Sequence, residues 1–285
     1  MTTFPTPTPI GVLIHIGSGD ITVTASDRSD TIVAVRPHDN NRSADVQAAA
    51  SALVEFANNV VTVKTVTSWK RVAGPTKKDG SIDVEIQLPT GSTLNAHTGM
   101  GSIHAEGELA DATVKTGMGD IRLDHVASLS ARSGLGDVVV DSAGNAQVAT
   151  GSGAVRLGVL TGSTTVKNAC GRVDVAQSDK DLHIRTASGD IIVGRARGSV
   201  VTSSASGEIR IADVSAGTVN ARSSAGAIQV GVREGTTAWL DVATKYGSIR
   251  NGLDAAPGPD ESVDTVEVRA RTGGGTITIS RAGAA

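Results

Sequence analysis

A glycine followed two residues later by Ile or Val returns along this chain at nearly constant intervals. The ladder runs Gly101, Gly119, Gly136, Gly153, Gly171, Gly189, Gly207, Gly226, Gly247 and Gly275, with successive spacings of 18, 17, 17, 18, 18, 18, 19, 21 and 28. A fixed period of this length signals a repeat architecture whose units bury their apolar faces on one another. With each glycine as position 0, positions +2 and +4 are apolar: Ile121/Leu123, Val138/Val140, Val173/Val175, Ile191/Val193, Ile209/Ile211. Positions −7 and −5 are mostly apolar as well, as in Leu94/Ala96, Leu129/Ala131, Leu182/Ile184 and Val219/Ala221. Alternation on both sides of the glycine describes two short strands per repeat, each with one face inward. No helical stripe separates the repeats, so successive strands must stack in parallel, about 4.8 Å apart.

The reading is therefore all-β: a single-chain parallel β-solenoid, or β-helix, of about ten coils of 17–21 residues, with an N-terminal β-rich capping region. Composition agrees, because 34 glycines and only 2% aromatic residues suit a narrow core of small branched side chains. The glycine at each bend suggests a positive φ or a backbone too close for a Cβ. Position −3 is Thr, Ser or Asn throughout (Thr98, Thr116, Ser133, Thr150, Asn168, Thr186, Ser204, Ser223, Thr244, Thr272). Such a side chain beside a sharp bend can satisfy backbone groups that the bend leaves unpaired.

One domain is expected over residues 1–285: N-terminal strands and a capping insertion at 1–90, regular coils at 91–252, and a loop with the C-terminal coil at 253–285. Gly19, in GSGDITVT, is an early copy of the repeat and Gly80 a partial one. Between them lie strand-like stretches at Thr31–Arg36 and Val60–Thr67 and a short helix around Ala44–Ala52; the alternating strand Ile82, Val84, Ile86, Leu88 follows. The basic segment Trp69–Lys78 and the stretch Asp254–Ser262 read as surface loops.

The serial motif T-G-x-G-D-I-x-L at Thr116–Leu123, with its variants TGSGAVRL and TASGDIIV, resembles an adhesin-like bacterial β-strand-repeat family of unknown function. The region Asp45–Pro89, with VEFANNVVTVK and SIDVEIQLP, is similar to it too. The resemblance covers nearly the whole chain and implies a solenoid with an adhesin-like role. It supplies no catalytic residues.

Candidate chemistry is sparse. Glycine-aspartate turns suggest a calcium roll, but that roll places Asp two residues after the glycine, whereas Asp120, Asp137 and Asp190 follow it directly. The six histidines lack metal-ligand spacing, although His97, His104 and His125 all fall near the first coils. Cys170, the only cysteine, has no marked partner, and no nucleophile elbow, P-loop or dinucleotide fingerprint appears. No cofactor, metal or catalytic residue is expected.

The recurring outward feature is a basic ladder at position −4: His97, Lys115, Arg132, Lys167, Arg185, Arg222 and Arg271, broken at Ala149, Ser203 and Ala243. It suits an acidic protein or an anionic glycan or polymer, with Asp120, Asp137, Asp190 and Glu208 placed to neutralise it locally. Nucleic acid is disfavoured by a net charge of −3 and the lack of stacking aromatics. The expectation is a non-enzymatic binding or scaffold protein. A polysaccharide-active β-helix enzyme and a self-associating structural protein, joined edge to edge, are the alternatives. With no signal peptide or apolar span in the sequence, membrane insertion is not expected and the location reads as cytoplasmic. Surface display would need a signal outside this sequence.

Overall fold

The computed structural model describes residues 1–65, 80–254 and 264–283, so the expected loop at Trp69–Lys78 and most of that at Asp254–Ser262 lie outside the described residues. Among the described residues the chain is all-β with one short helix, and it forms two compact units, Met1–Asp141 and Ser142–Ala285.

The first unit holds β1 (Thr2–Pro5), β2 (Gly11–Ser18), β3 (Ile21–Ser26), β4 (Asp30–Pro37), α1 (Ser43–Ala50), β5 (Leu53–Ala57) and β6 (Val60–Lys64). It continues with β7 (Ile82–Pro89), β8 (Thr93–Met100), β9 (Ile103–Met118) and β10 (Ile121–Leu135), and β11 (Val138–Ser152) carries the chain into the second unit. Two parallel ladders form its rungs. On one, β2 lies between β6 and β8, with Val12 opposite both Val61 and Leu94. On the other, β3 lies between β7 and β9, with Ile21 opposite both Val84 and Ile103. The strands expected to close the insertion are thus a rung of the stack, laid down after its neighbour. The inward residues Ile82, Ile86 and Leu88 are fully buried. Each such side chain contributes roughly 1.5–3 kcal/mol by leaving water.

This edge is covered. β4 pairs antiparallel with β7, β5 antiparallel with β6, and β1 antiparallel with β4. The Ala-rich helix α1 supports the same corner through Asp45, whose buried carboxylate accepts the Ser81 N–H (3.0 Å) and the Asp39 N–H (3.2 Å). Both groups are orphan donors that a bend would otherwise leave bare.

The second unit contains β12 (Val155–Leu160), β13 (Thr164–Cys170), β14 (Val173–Ser178), β15 (Leu182–Ser188), β16 (Ile191–Ala196), β17 (Val200–Ser206) and β18 (Ile209–Val214). It ends with β19 (Gly217–Ala225), β20 (Ile228–Val232), β21 (Thr237–Tyr246), β22 (Ile249–Asn251), β23 (Thr265–Gly274) and β24 (Ile277–Arg281). Odd and even strands stack in two parallel ladders, in register, through β17–β19 and β18–β20. The order then departs from the sequence. β19 pairs with β23, and β23 with β21; likewise β20 pairs with β24, and β24 with β22. The last strands of the chain lie inside the stack and the preceding pair forms its edge. The 28-residue spacing before Gly275 therefore spans a return to the rung of Gly226.

The bends follow one scheme. Nine ladder glycines, from Gly101 to Gly226 and Gly275, have φ between +128° and +157°. Gly247, on the edge rung, lacks the positive φ expected of it; there the constraint is proximity, since a Cβ would stand 2.7 Å from the Gly275 carbonyl carbon. The position −3 side chains do bridge rungs. Thr116 Oγ1 donates to Gly101 O (2.9 Å), Ser223 Oγ to Gly207 O (3.1 Å) and Thr272 Oγ1 to Gly226 O (2.9 Å). Thr186 departs from the column, for its Oγ1 has no partner among the described residues.

Candidate functional site

Parallel, in-register stacking turns a repeated outward position into a column of side chains about 4.8 Å apart. In the first unit the registers place Lys64, His15, His97, Lys115 and Arg132 successively opposite one another. Sequence reasoning found the last three and missed the first two. His15 stands four residues before Gly19 and was legible from that spacing; Lys64 precedes no ladder glycine, and only the rung order reveals it. Among the described residues none of these five groups forms an ion pair. The His15 and His97 rings lie 5.8 Å apart. Burial, the neighbouring His15 and then the Lys115 ammonium hold the His97 pKa below the ordinary histidine value. The column keeps its central imidazole neutral until the pH falls.

In the second unit the order is Ala149, Lys167, Arg185, Ser203, Arg222, Arg271, Ala243. Because β23 intercalates, Arg222 and Arg271 are direct neighbours and Ala243 moves from an interior break to the end. Arg271 pairs with Asp241 (2.7 Å). Arg222 and Arg271 border a shallow depression of about 460 Å³, lined also by Ser203, Ser204, Ser223 and Thr272. The Ser204, Ser223 and Thr272 hydroxyls point inward to glycine carbonyls, so the guanidinium groups are what suits carboxylate, sulfate or phosphate groups here.

Two of the acidic residues that follow ladder glycines, and Asp20 after Gly19, are engaged by backbone. These three carboxylates accept a backbone N–H from the next rung: Asp20 from Ser102 (2.7 Å), Asp120 from Asp137 (2.9 Å) and Asp190 from Glu208 (2.8 Å). This second staircase runs beside the hydroxyl one. The three histidines of the first coils do not converge either. His97 faces His15 and Lys115, His104 Nε2 bonds Glu106 (2.9 Å), and His125 lies opposite Glu108.

One cluster went unnoticed in the sequence. Asp20, His38 and Asp83 bring potential ligand atoms within 4.8 Å of one another. The Asp83 carboxylate is already engaged by His38 Nδ1 (3.0 Å) and the Asp20 N–H (3.1 Å), and the histidine's hydrogen bond raises the His38 pKa. When protonated, the imidazole balances one carboxylate here. Residues 20, 38 and 83 are too far apart in sequence, and one lies in the insertion, for spacing to have exposed the cluster.

The family model Toastrack DUF4097 matches residues 12–281. Among solved structures, a candidate adhesin from Bacteroides fragilis is 13% identical, with 98% of this chain and 95% of that one aligned and a TM-score of 0.37. A candidate adhesin from Parabacteroides merdae is 10% identical over 98% and 94%, with a TM-score of 0.33. One from Parabacteroides distasonis is 11% identical over 97% and 95%, with a TM-score of 0.29. No match was found among curated proteins. Among the described residues, no helix is long and apolar enough to cross a membrane.

Proposed function

Starting from a chain that belongs to the Toastrack DUF4097 family, we propose that it is a non-enzymatic binding scaffold, a parallel β-solenoid of about ten coils. Its outward basic columns hold an anionic glycan, an anionic polymer or an acidic protein face. The observation that carries the reading is the uninterrupted column Lys64, His15, His97, Lys115, Arg132, with no acid paired to it among the described residues. Stacking like charges at this spacing is unfavourable on its own. A regularly charged ligand relieves the repulsion along its length, and the hydrogen-bonded rungs beneath keep the column from spreading. The −3 net charge makes the attraction local to the columns rather than a property of the whole surface. The reading as non-enzymatic rests on the first unit's column, which stacks basic side chains from rung to rung, whereas glycoside hydrolysis wants two carboxylates set apart across a cleft.

The test is retention of the full chain on heparin or immobilised polyphosphate, against the variant carrying Lys115→Glu, Arg132→Glu and Arg185→Glu. The wild type should bind with an affinity that falls as salt rises, and the variant should lose tenfold or more while keeping its circular dichroism. Absence of binding, or equal binding by both proteins, defeats the proposal.

A further inference from the structure

The second unit ends on a rung whose core is open. In the column Ile228, Ile277, Ile249 the first two side chains are 0% exposed and the last is 45% exposed. Leu240 and Val242 share registers with the buried Val268 and Ala270, yet both remain half-exposed. Trp239 and Tyr246, two of the chain's five aromatic residues, are 59% and 71% exposed on the same strand. The backbone is open as well. Thr237 N–H donates to Asp264 O toward β23, so strand alternation turns the N–H and C=O of Ala238, Leu240 and Val242 the other way. Among the described residues no strand pairs with that side of β21.

We infer that this edge joins a second copy of the chain, β21 against β21, in an antiparallel pair that closes as a twofold dimer. A bare apolar edge is a template for strand addition, and exposed Trp and Tyr are characteristic of contact surfaces. Two features select a second copy and this direction. Head-to-tail addition would need an open edge at β6 and β7, and those strands are already covered by β5 and β4. An antiparallel register centred on Ala243 sets Val242 against Thr244, two residues whose backbone groups face the free side, and Asp241 against Lys245. Asp241, which already holds Arg271 of its own chain, then meets Lys245 of the second copy once on each side of the axis. The basic column also ends on alanine at this rung, so the twofold brings no arginine against its copy and the small side chain permits close approach. A twofold contact uses up both edges and stops, which distinguishes it from a filament.

The test uses the full chain with Cys170, the exposed lone cysteine, replaced by Ser. Sedimentation velocity from about 1 to 100 µM should show twice the 28.7 kDa chain mass. Lys245→Asp and Ile249→Lys should each weaken the dimer tenfold or more without changing circular dichroism. Ala243→Cys should form a single disulfide-linked dimer on mild oxidation, because non-hydrogen-bonded antiparallel pairs have Cα atoms about 4.5 Å apart, within disulfide reach. Thr237→Cys should not. A monomer at every concentration, a dimer indifferent to both charge variants, equal crosslinking at 237 and 243, or open-ended filaments would each overturn the inference.

Discussion

Replacing Gly136 with alanine tests the bend scheme most directly. The residue sits at φ +141°, and an added Cβ would stand 2.5 Å from the Gly119 carbonyl carbon, with the carbonyl oxygen closer still. That oxygen cannot move aside cheaply. It accepts the Ser133 hydroxyl (3.1 Å), and the rung around it is held by Gly119 N–H to Leu135 O (2.8 Å) and Ile121 N–H to Asp137 O (2.9 Å). Backbone strain of the kind that only glycine tolerates costs about 1–3 kcal/mol. Forcing packed neighbours apart adds about 1–3 kcal/mol. A total of about 2–6 kcal/mol follows, or a fall in melting temperature of at least ~4 °C for a chain of this size. Gly91 in the same unit is the control: its φ is +76°, but the nearest atom to an added methyl is Pro9 Cγ at 3.7 Å. Gly91→Ala should therefore cost only the left-handed penalty, about 1–2 kcal/mol. Thermal and urea denaturation of both variants checks this. Equal destabilisation would show that close approach contributes nothing and would refute the argument that stacked carbonyls fix the glycine column.

Thr116→Val leaves the buried Gly101 carbonyl without its hydroxyl donor and should cost about 1–2 kcal/mol, whereas Thr186→Val removes a hydroxyl with no partner and should be neutral or stabilising in the same urea assay. In NMR titrations His38 should titrate above the ordinary histidine value, held by Asp83, and His97 below it, held by burial with His15 and Lys115. The signs for stability are opposite. The His38–Asp83 pairing contributes fully below pH ~6.5 and is lost as pH rises through the raised pKa, while the His97 contribution is present above pH ~6.5 and is lost as pH falls through the lowered one. By the same linkage, polyanion binding to the first unit's column should strengthen as pH falls through the lowered His97 pKa, and His97→Asn should flatten that dependence.

The regular rungs were legible because each repeat meets the same surroundings. Gly189, Ile191 and Val193 face another rung's glycine and aliphatic side chains, and so do Gly207, Ile209 and Ile211, so one local rule writes itself into every copy. The hydroxyl at position −3 was readable for the same reason: a glycine carbonyl always lies one rung away. The carboxylate staircase was not legible in the sequence. A residue such as Asp190 could serve either a neighbouring arginine or a backbone N–H, and composition does not distinguish them.

Rung order at the edges escaped the sequence for a deeper reason. Spacing between glycines records how much chain separates two bends, not which rung lies between them. A stretch of 28 residues can be a loop that leaves the stack or a path back over one rung, and both present the same alternation. Yet this order decides the candidate sites. It brings Arg222 against Arg271, adds His15 and Lys64 to the first unit's column, and places Trp239 and Ile249 at an open edge. The inward-facing residues of β21 still carry the apolar pattern of a buried strand. A sequence that keeps Leu240, Val242 and Ile249 on an uncovered rung retains the full desolvation benefit for whatever covers it, while the first unit meets the same requirement within the chain through β4 and β5. The two edges thus obey one rule, and differ in whether its last step is made by this molecule or by a second one.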